Sequence, residues 1–230
     1  MDINIRKMTE EAIICGGSYS IETENLDLSR KDLKDEDIKE IAKLSNLKTL
    51  FLFKNQISDI SPLEYLYNLE NLDLSDNQLR DISPMEDLAK SQRLYLQVNN
   101  KISSHKTSDY QSGDMPAKYL SKLQKLYFSN NRISNIYPLK ELFNLNLLYL
   151  DNNLISFIEP LINLQNLYML DLSYNRDIFD IHVLQYLSEL TLVNLKGCYK
   201  IKDFSPLDKN PSIKRYIMPN GRDVIKKQPH

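Results

Sequence analysis

The chain has 230 residues, a mass of 26.9 kDa and a formal net charge of -2 at pH 7. This length fits one domain. Charges of both signs are scattered along the chain, which argues against the basic patch of a nucleic-acid-binding or membrane-surface protein. A mean hydropathy of -0.43 and the absence of a long apolar run exclude a transmembrane helix.

The first segment, residues 1-22, matches no repeat and is predicted to be an N-terminal cap over the first open strand edge. Its polar start and the short apolar run at residues 12-15 do not fit a signal peptide. The sequence therefore predicts a cytoplasmic protein, unless an export signal has been removed.

Residues 23-207 are organised by one pattern, LxxLxLxxNxIxxIxPLxxL, with copies 22 residues apart over much of the range. Leucines that alternate, as at Leu50 and Leu52, predict a short strand with one buried face. The proline that follows fixes the backbone angle at the start of a helical turn on the opposite wall. In the degenerate first repeat, the spacing of apolar residues predicts a longer helix from Asp35 to Leu44. Near-regular copies start at Leu47, Leu69, Leu123, Leu145 and Leu167.

An asparagine follows each predicted strand by three positions, where the chain turns and leaves backbone groups without partners. An amide side chain offers two donors and an acceptor, so it can bind these groups. We therefore predict a structural asparagine ladder rather than a binding site. Its members are Asn55, Asn77, Asn99, Asn131, Asn153 and Asn175, and Cys198 occupies the equivalent turn as a buried substitute.

The fourth repeat is irregular. It starts at Ser91, continues with a predicted strand at residues 94-96, and reaches the next start, Leu123, after 32 residues where 22 are expected. The extra length is polar and rich in turn residues, which predicts an insertion near residues 103-118. The whole chain is thus predicted to contain about eight repeats, followed by a C-terminal cap and tail at residues 208-230.

These motifs resemble the 22-residue class of leucine-rich repeat proteins, which includes internalins and the regulatory subunit of type-1 protein phosphatase. Residues 55-63, NQISDISPL, match the NxIxDIxPL motif of this class. The resemblance implies an α/β leucine-rich repeat solenoid. It would be curved, with parallel β-strands on its concave face and short helical or 3-10 turns on its convex face. It also implies recognition of a protein on the concave face. No motif here selects the phosphatase regulator over other members, so its binding residues are not carried over.

Strand residues that alternate with the buried leucines are expected to face the concave surface. Tyr95, Tyr127 and Tyr149 are predicted to form a column there, and exposed aromatic residues flanked by polar groups are typical of interface hot spots. The alternative interpretation is that β-propensity alone places some of the 14 tyrosines on exposed strand positions. The predicted partner-binding residues are Phe51, Phe53, Arg93, Tyr95, Lys125, Tyr127, Tyr149, Asp151, Asp171 and Tyr174.

The sequence shows no pattern typical of catalysis or cofactor binding. His105, His182 and His230 lie far apart along a rod-like fold, so we expect no metal site. The pair at residues 16-17 lacks the lysine of a phosphate-binding loop. We predict a non-catalytic, monomeric module that binds another protein and no cofactor, with the 103-118 insertion as a second contact. The alternatives are a regulatory subunit of an enzyme, such as a protein phosphatase, and an exported internalin-like adhesin.

Overall fold

The computed structural model describes residues 11-90, 92 and 122-226. Short strands recur through these ranges, most of them three residues long. They are β1 (Glu11–Ile14), β2 (Gly17–Ser20), β3 (Asn25–Asp27), β4 (Thr49–Phe51), β5 (Asn71–Asp73), β6 (Lys125–Tyr127), β7 (Leu147–Tyr149), β8 (Met169–Asp171), β9 (Leu192–Asn194), β10 (Arg215–Ile217) and β11 (Asp223–Ile225).

Strands β3 to β10 form one open parallel sheet in chain order, and β11 extends it antiparallel to β10. Equivalent residues of successive repeats lie side by side, so that Leu50 pairs in register with Leu26 and Leu72. The central residue of each parallel strand from β3 to β9 is an apolar side chain buried in the core. The predicted leucine-rich repeat solenoid, with its parallel strands on the concave face, is confirmed.

The convex wall consists of short helical segments. In three of them, Pro62, Pro138 and Pro160 lie in the first turn, as the sequence predicts. The helix predicted from Asp35 to Leu44 is wrong in length and type, because only Lys39–Lys43 is helical, and it is a 3-10 helix. A 22-residue repeat leaves room only for such short segments between one strand and the next. The segments are the 3-10 helices Lys39–Lys43, Ser61–Tyr65, Tyr137–Leu139, Glu159–Asn163 and His182–Tyr186, the helix α1, described over residues 84-90 and 92, and α2 (Ser205–Lys209).

The strand predicted for the fourth repeat, residues 94-96, lies outside the described residues. In the described sheet β5 pairs directly with β6, with Leu72 beside Leu126. Gln92 is fully buried beside repeat three. Its side chain donates to the carbonyl of Leu69 at 3.0 Å and accepts from the backbone N–H of Lys122 at 2.9 Å. The insertion predicted near 103-118 lies outside the described residues.

Hairpins lie at both ends of the described chain. β1 and β2 pair antiparallel through a two-residue turn at Cys15 and Gly16, both with positive φ, and form a sheet separate from β3. Ala12 and Ile14 of this hairpin join the hydrophobic core. At the other end, Arg215 of β10 forms an ion pair with Asp223 of β11 at 2.6 Å. The cap boundaries at residues 22 and 208 stay predictions. Within the described ranges, no helix is long and apolar enough to cross a membrane.

Candidate functional site

The asparagine ladder holds the turn that follows each strand. In the Asn153 turn, the side-chain oxygen accepts from the backbone N–H of Ile133 at 3.0 Å. The side-chain nitrogen donates to the carbonyls of Phe128 at 2.8 Å and Leu150 at 3.1 Å. Each ladder amide thus joins its own repeat to the preceding one. The same pattern occurs at Asn55, Asn77, Asn131 and Asn175, which confirms the predicted ladder for the described residues.

Two positions differ from the regular ladder. Asn99 lies outside the described residues, and Asn131 binds the backbone N–H of Leu79 directly, so the ladder passes from Asn77 to Asn131. Cys198 is fully buried and donates through Sγ to the carbonyl of Leu172 at 3.2 Å, which confirms it as a buried substitute. Burial raises the pKa of the Cys198 thiol to about 12, so the thiol is neutral and poorly suited to nucleophilic chemistry.

The residue before each ladder position has a left-handed backbone in six successive repeats: Lys54, Asp76, Asn130, Asn152, Tyr174 and Gly197. A left-handed residue reverses the chain direction within one position, which ends the strand. The side chains just before this turn are therefore held in a fixed register from strand to strand. This register positions the candidate binding surface.

The predicted concave residues form one row across the sheet. Pairing in register places the residue between the two inward leucines of each repeat next to its counterparts in the neighbouring repeats. In order across the sheet, the row reads Asp27, Phe51, Asp73, Tyr127, Tyr149, Asp171 and Asn194.

Tyr127 and Tyr149 lie at the centre of this row. Their rings stack with centroids 5.0 Å apart and an interplanar angle of 19°. Both side chains are partly exposed, and the Tyr149 hydroxyl lies 3.1 Å from the Met169 sulfur. Of the predicted column of three tyrosines, the structure describes Tyr127 and Tyr149, and Asp73 lies on the other side of Tyr127 in the sheet. Tyr95 and Arg93 lie outside the described residues.

Carboxylates surround the tyrosine pair. Asp73 lies beside Tyr127, and Asp171 lies beside Tyr149. Asp151, two residues after Tyr149, accepts a hydrogen bond from the Ser129 hydroxyl. Partial burial raises the pKa of Asp151, and the nearby negative charge of Asp171 raises it further. The tyrosine pair therefore lies in a negatively charged part of the concave face.

The remaining predicted site residues lie around this centre. Phe51 is 36% exposed in the same row, and the Arg30 guanidinium lies 5.3 Å from the Phe53 ring centroid. Lys125 is exposed on β6, two residues before Tyr127. Tyr174 is 40% exposed at the left-handed turn, and the Lys196 ammonium lies 5.6 Å from its ring. The aromatic residues therefore form two groups on either side of Asp73, rather than one continuous strip.

One exposed aromatic pair was missed by sequence reasoning. Phe157 and Phe179, 64% and 52% exposed, make an edge contact with centroids 5.9 Å apart. In other repeats, the position of Phe157 holds an aspartate or asparagine whose side chain accepts from the backbone N–H two residues later, as Asp59 does from Ser61 at 2.8 Å. The replacement of this polar residue by phenylalanine was the feature of the sequence that could have indicated the exposed pair.

Among the residues that the structure describes, no group of three His, Cys, Asp or Glu side chains could hold a metal ion. His182 lies between two acids: its Nε2 is 3.3 Å from Glu159 Oε2, and its Nδ1 is 3.1 Å from Asp180 Oδ2. These three side chains form an exposed polar cluster.

Comparison with known proteins identifies the family. Leucine-rich repeat models match residues 45-90, as two copies, and residues 122-142. The crystal structure of internalin C2 from Listeria monocytogenes is 31% identical, with a TM-score of 0.57, and the match covers 87% of this chain and 84% of that chain. A comparison with curated proteins gave no match.

Two more distant structures share only the fold. A leucine-rich repeat protein of Leptospira interrogans is 18% identical over 79% of this chain and 39% of that chain, with a TM-score of 0.55. The leucine-rich repeat ectodomain of a membrane receptor kinase from Arabidopsis thaliana is 20% identical over 83% of this chain and 20% of that chain, also with a TM-score of 0.55. Together with the repeat geometry and the 31% identity to internalin C2, these matches show that the chain belongs to the leucine-rich repeat family and resembles its internalins.

Proposed function

We propose that this protein is a non-catalytic module that binds another protein through its concave face, with the stacked pair Tyr127 and Tyr149 at the centre of the contact. Leucine-rich repeat domains are generally protein-interaction modules, which supports a protein as the ligand. The Arabidopsis ectodomain was solved in complex with CASPARIAN STRIP INTEGRITY FACTOR 2, so a solenoid of this fold can hold a ligand.

The stacked tyrosine pair is the observation that carries this proposal. Large, rigid aromatic rings supply contact area at a low cost in side-chain entropy, and tyrosine is enriched among interface hot spots. The core does not need these two rings, since Leu126 and Leu148 on the same strands already fill it. A role in binding therefore explains the partly exposed pair better than a role in folding.

Affinity capture from the source cells tests the proposal. The bait is the full chain, and the test bait carries both Tyr127→Ala and Tyr149→Ala. The matched control carries Tyr65→Ala and Tyr186→Ala, which remove two tyrosines that are 57% and 55% exposed on convex 3-10 helices. Captured proteins are quantified by mass spectrometry, and circular dichroism verifies that all baits are folded.

We expect the parent and control baits to recover the same partner. Binding of this partner to the concave double variant, measured by calorimetry, should weaken by about 2 kcal/mol or more. Equal affinity for all three proteins would contradict the concave-face proposal and would direct attention to Phe157 and Phe179.

The internalin-like adhesin is the second candidate, because the likeness to internalin C2 spans most of both chains. It differs from a cytoplasmic module in the compartment where binding occurs. Antibody labelling of intact and permeabilised source cells separates the two. Labelling of intact cells supports the adhesin, whereas labelling only after permeabilisation supports the cytoplasmic module.

A further inference from the structure

One corner of the concave face combines an aromatic ring with two carboxylates. Tyr149 on β7 lies in register with Asp171 on β8, and Asp151 follows Tyr149 on the same face of the chain. All three side chains are partly buried. Partial burial raises the Tyr149 pKa, and the charges of Tyr127, Asp171 and Asp151 raise it further.

Neutral hydrogen bonds hold both carboxylates in place. Asp171 accepts from the backbone N–H of Ser173 at 2.8 Å and from the side-chain amide of Asn194 at 2.8 Å. Asp151 accepts from the Ser129 hydroxyl. These donors orient the carboxylate oxygens but do not neutralise their charge.

Asp151 and Asp171 also form no ion pair in the part of the chain that the structure describes. Every ion pair found within the described ranges involves other acids. The Lys196 ammonium instead lies over the Tyr174 ring. The corner therefore presents two oriented negative charges beside an aromatic ring on a sheet face that is open to a ligand.

We propose that the corner formed by Tyr149, Asp151 and Asp171 binds an arginine side chain from a basic segment of the partner protein. This inference rests on the proposed function, and it specifies the chemistry of the partner at the concave face. The guanidinium stacks on the Tyr149 ring while its N–H groups donate to the two carboxylates.

Charge complementarity selects this occupant over other side chains. An acidic segment would be repelled by Asp151 and Asp171, and an apolar segment would bury both carboxylates without compensation. Arginine fits better than lysine, because its planar guanidinium can stack on a ring and donate in a fork, and because it is more weakly hydrated. The Tyr127 ring stacks on Tyr149 from the β6 side, opposite Asp171 on β8, and supports the Tyr149 ring.

A titration with small peptides tests the assignment on the full chain. The probe is the capped peptide Gly-Gly-Arg-Gly-Gly, and the comparison peptides replace arginine by lysine or by citrulline, which keeps the shape without the charge. Binding is followed by the NMR shifts of the Tyr127 and Tyr149 ring resonances, assigned with Tyr→Phe variants. The peptides are added to about 10 mM, a concentration that nearly saturates a site with a Kd of about 1 mM.

We expect the arginine peptide to shift the Tyr149 ring resonances and the citrulline peptide to bind about tenfold more weakly. The double variant Asp151→Asn, Asp171→Asn should weaken arginine binding by a similar factor. The double variant Glu36→Gln, Glu189→Gln makes the same change in net charge at exposed sites outside the corner and should bind like the parent. Melting curves of both double variants verify that the fold is intact.

The proposal would be overturned by the absence of a ring shift with the arginine peptide, by equal binding of the arginine and citrulline peptides, or by an equal loss of binding in both double variants. Preference for the lysine peptide would replace a guanidinium site by an ammonium site and would also overturn it. A different experiment tests the proposed function. It depends on whether Tyr127→Ala and Tyr149→Ala together weaken binding of the captured partner. Capture that depends on the tyrosines but not on the two carboxylates would keep concave-face binding and discard the arginine.

Discussion

Gln92 and Lys122, separated by 30 positions in the chain, are joined by a hydrogen bond. The Gln92 side chain accepts a hydrogen bond from the Lys122 backbone N–H at 2.9 Å, and the Lys122 ammonium donates to the Asn68 side chain at 2.5 Å. These contacts lie beside the pairing of β6 with β5. They join the residues on either side of 93-121 to repeat three.

Replacing Gln92 by leucine should destabilise the protein by roughly 1 to 3 kcal/mol, because Leu69 and Lys122 each lose a hydrogen bond to the buried amide. Urea unfolding measures the change. The exposed Gln78, replaced in the same way, is the control and should leave the midpoint nearly unchanged. A Gln92→Leu variant as stable as the control would show that other contacts hold the two chain ends together.

Deletion of residues 104-114 should leave circular dichroism and thermal melting nearly unchanged. A polar surface insertion contributes few buried contacts, and its length costs little entropy. The anchoring pair at residues 92 and 122 stays intact in this variant. An unfolded product would show that the insertion packs on the solenoid, and a folded product that loses its partner would make the insertion the primary binding site.

The variants Asn131→Ala and Asn153→Ala should each lose roughly 1 to 3 kcal/mol of stability, because buried turn groups lose their partners. Thermal melting measures the loss. Asn163→Ala is the matched control, since Asn163 is exposed and makes one long contact, 3.4 Å to the Lys140 carbonyl. Melting of both ladder variants within a degree of the parent would contradict the structural role of the ladder.

The Asp151→Asn variant should gain stability over the parent at neutral pH. Partial burial and the charges of Asp171 and Asp76 raise the Asp151 pKa, so the folded protein holds this proton to a higher pH than the unfolded chain. The stability of the parent therefore falls as pH rises from the ordinary aspartate pKa through the raised value. The difference in melting temperature should shrink towards zero below about pH 4. A difference that does not change with pH would contradict this assignment.

The two cysteines should differ in reactivity. Cys15 is exposed, whereas Cys198 is fully buried with its pKa raised to about 12 by burial. N-ethylmaleimide at neutral pH should therefore add once to the folded protein, at Cys15, and twice after denaturation, as counted by mass spectrometry. Rapid labelling of Cys198 in the native state would show that the last ladder turn opens.

The concave row illustrates how far the sequence can predict the site. The alternation of Leu148 and Leu150 with Tyr149 and Asp151 is enough to assign two side chains to the core and two to the open face, because side chains on a strand alternate. Partner chemistry could not be predicted in this way. It depends on which repeats lie next to each other, and therefore on the pairing of Tyr149 with Asp171.

The sequence by itself determined the solenoid, the direction of each strand residue and the asparagine ladder, since all of these follow from local spacing within one repeat. Only the tertiary structure decided that β6 follows β5, because repeats with the same buried leucines can pair in more than one order. The sequence pattern at residues 94-96 is a good strand pattern, but a pattern does not specify its neighbour. In the same region, the buried amide of Gln92 binds the Leu69 carbonyl and the Lys122 backbone N–H, and local spacing within one repeat does not specify such a contact across 30 positions.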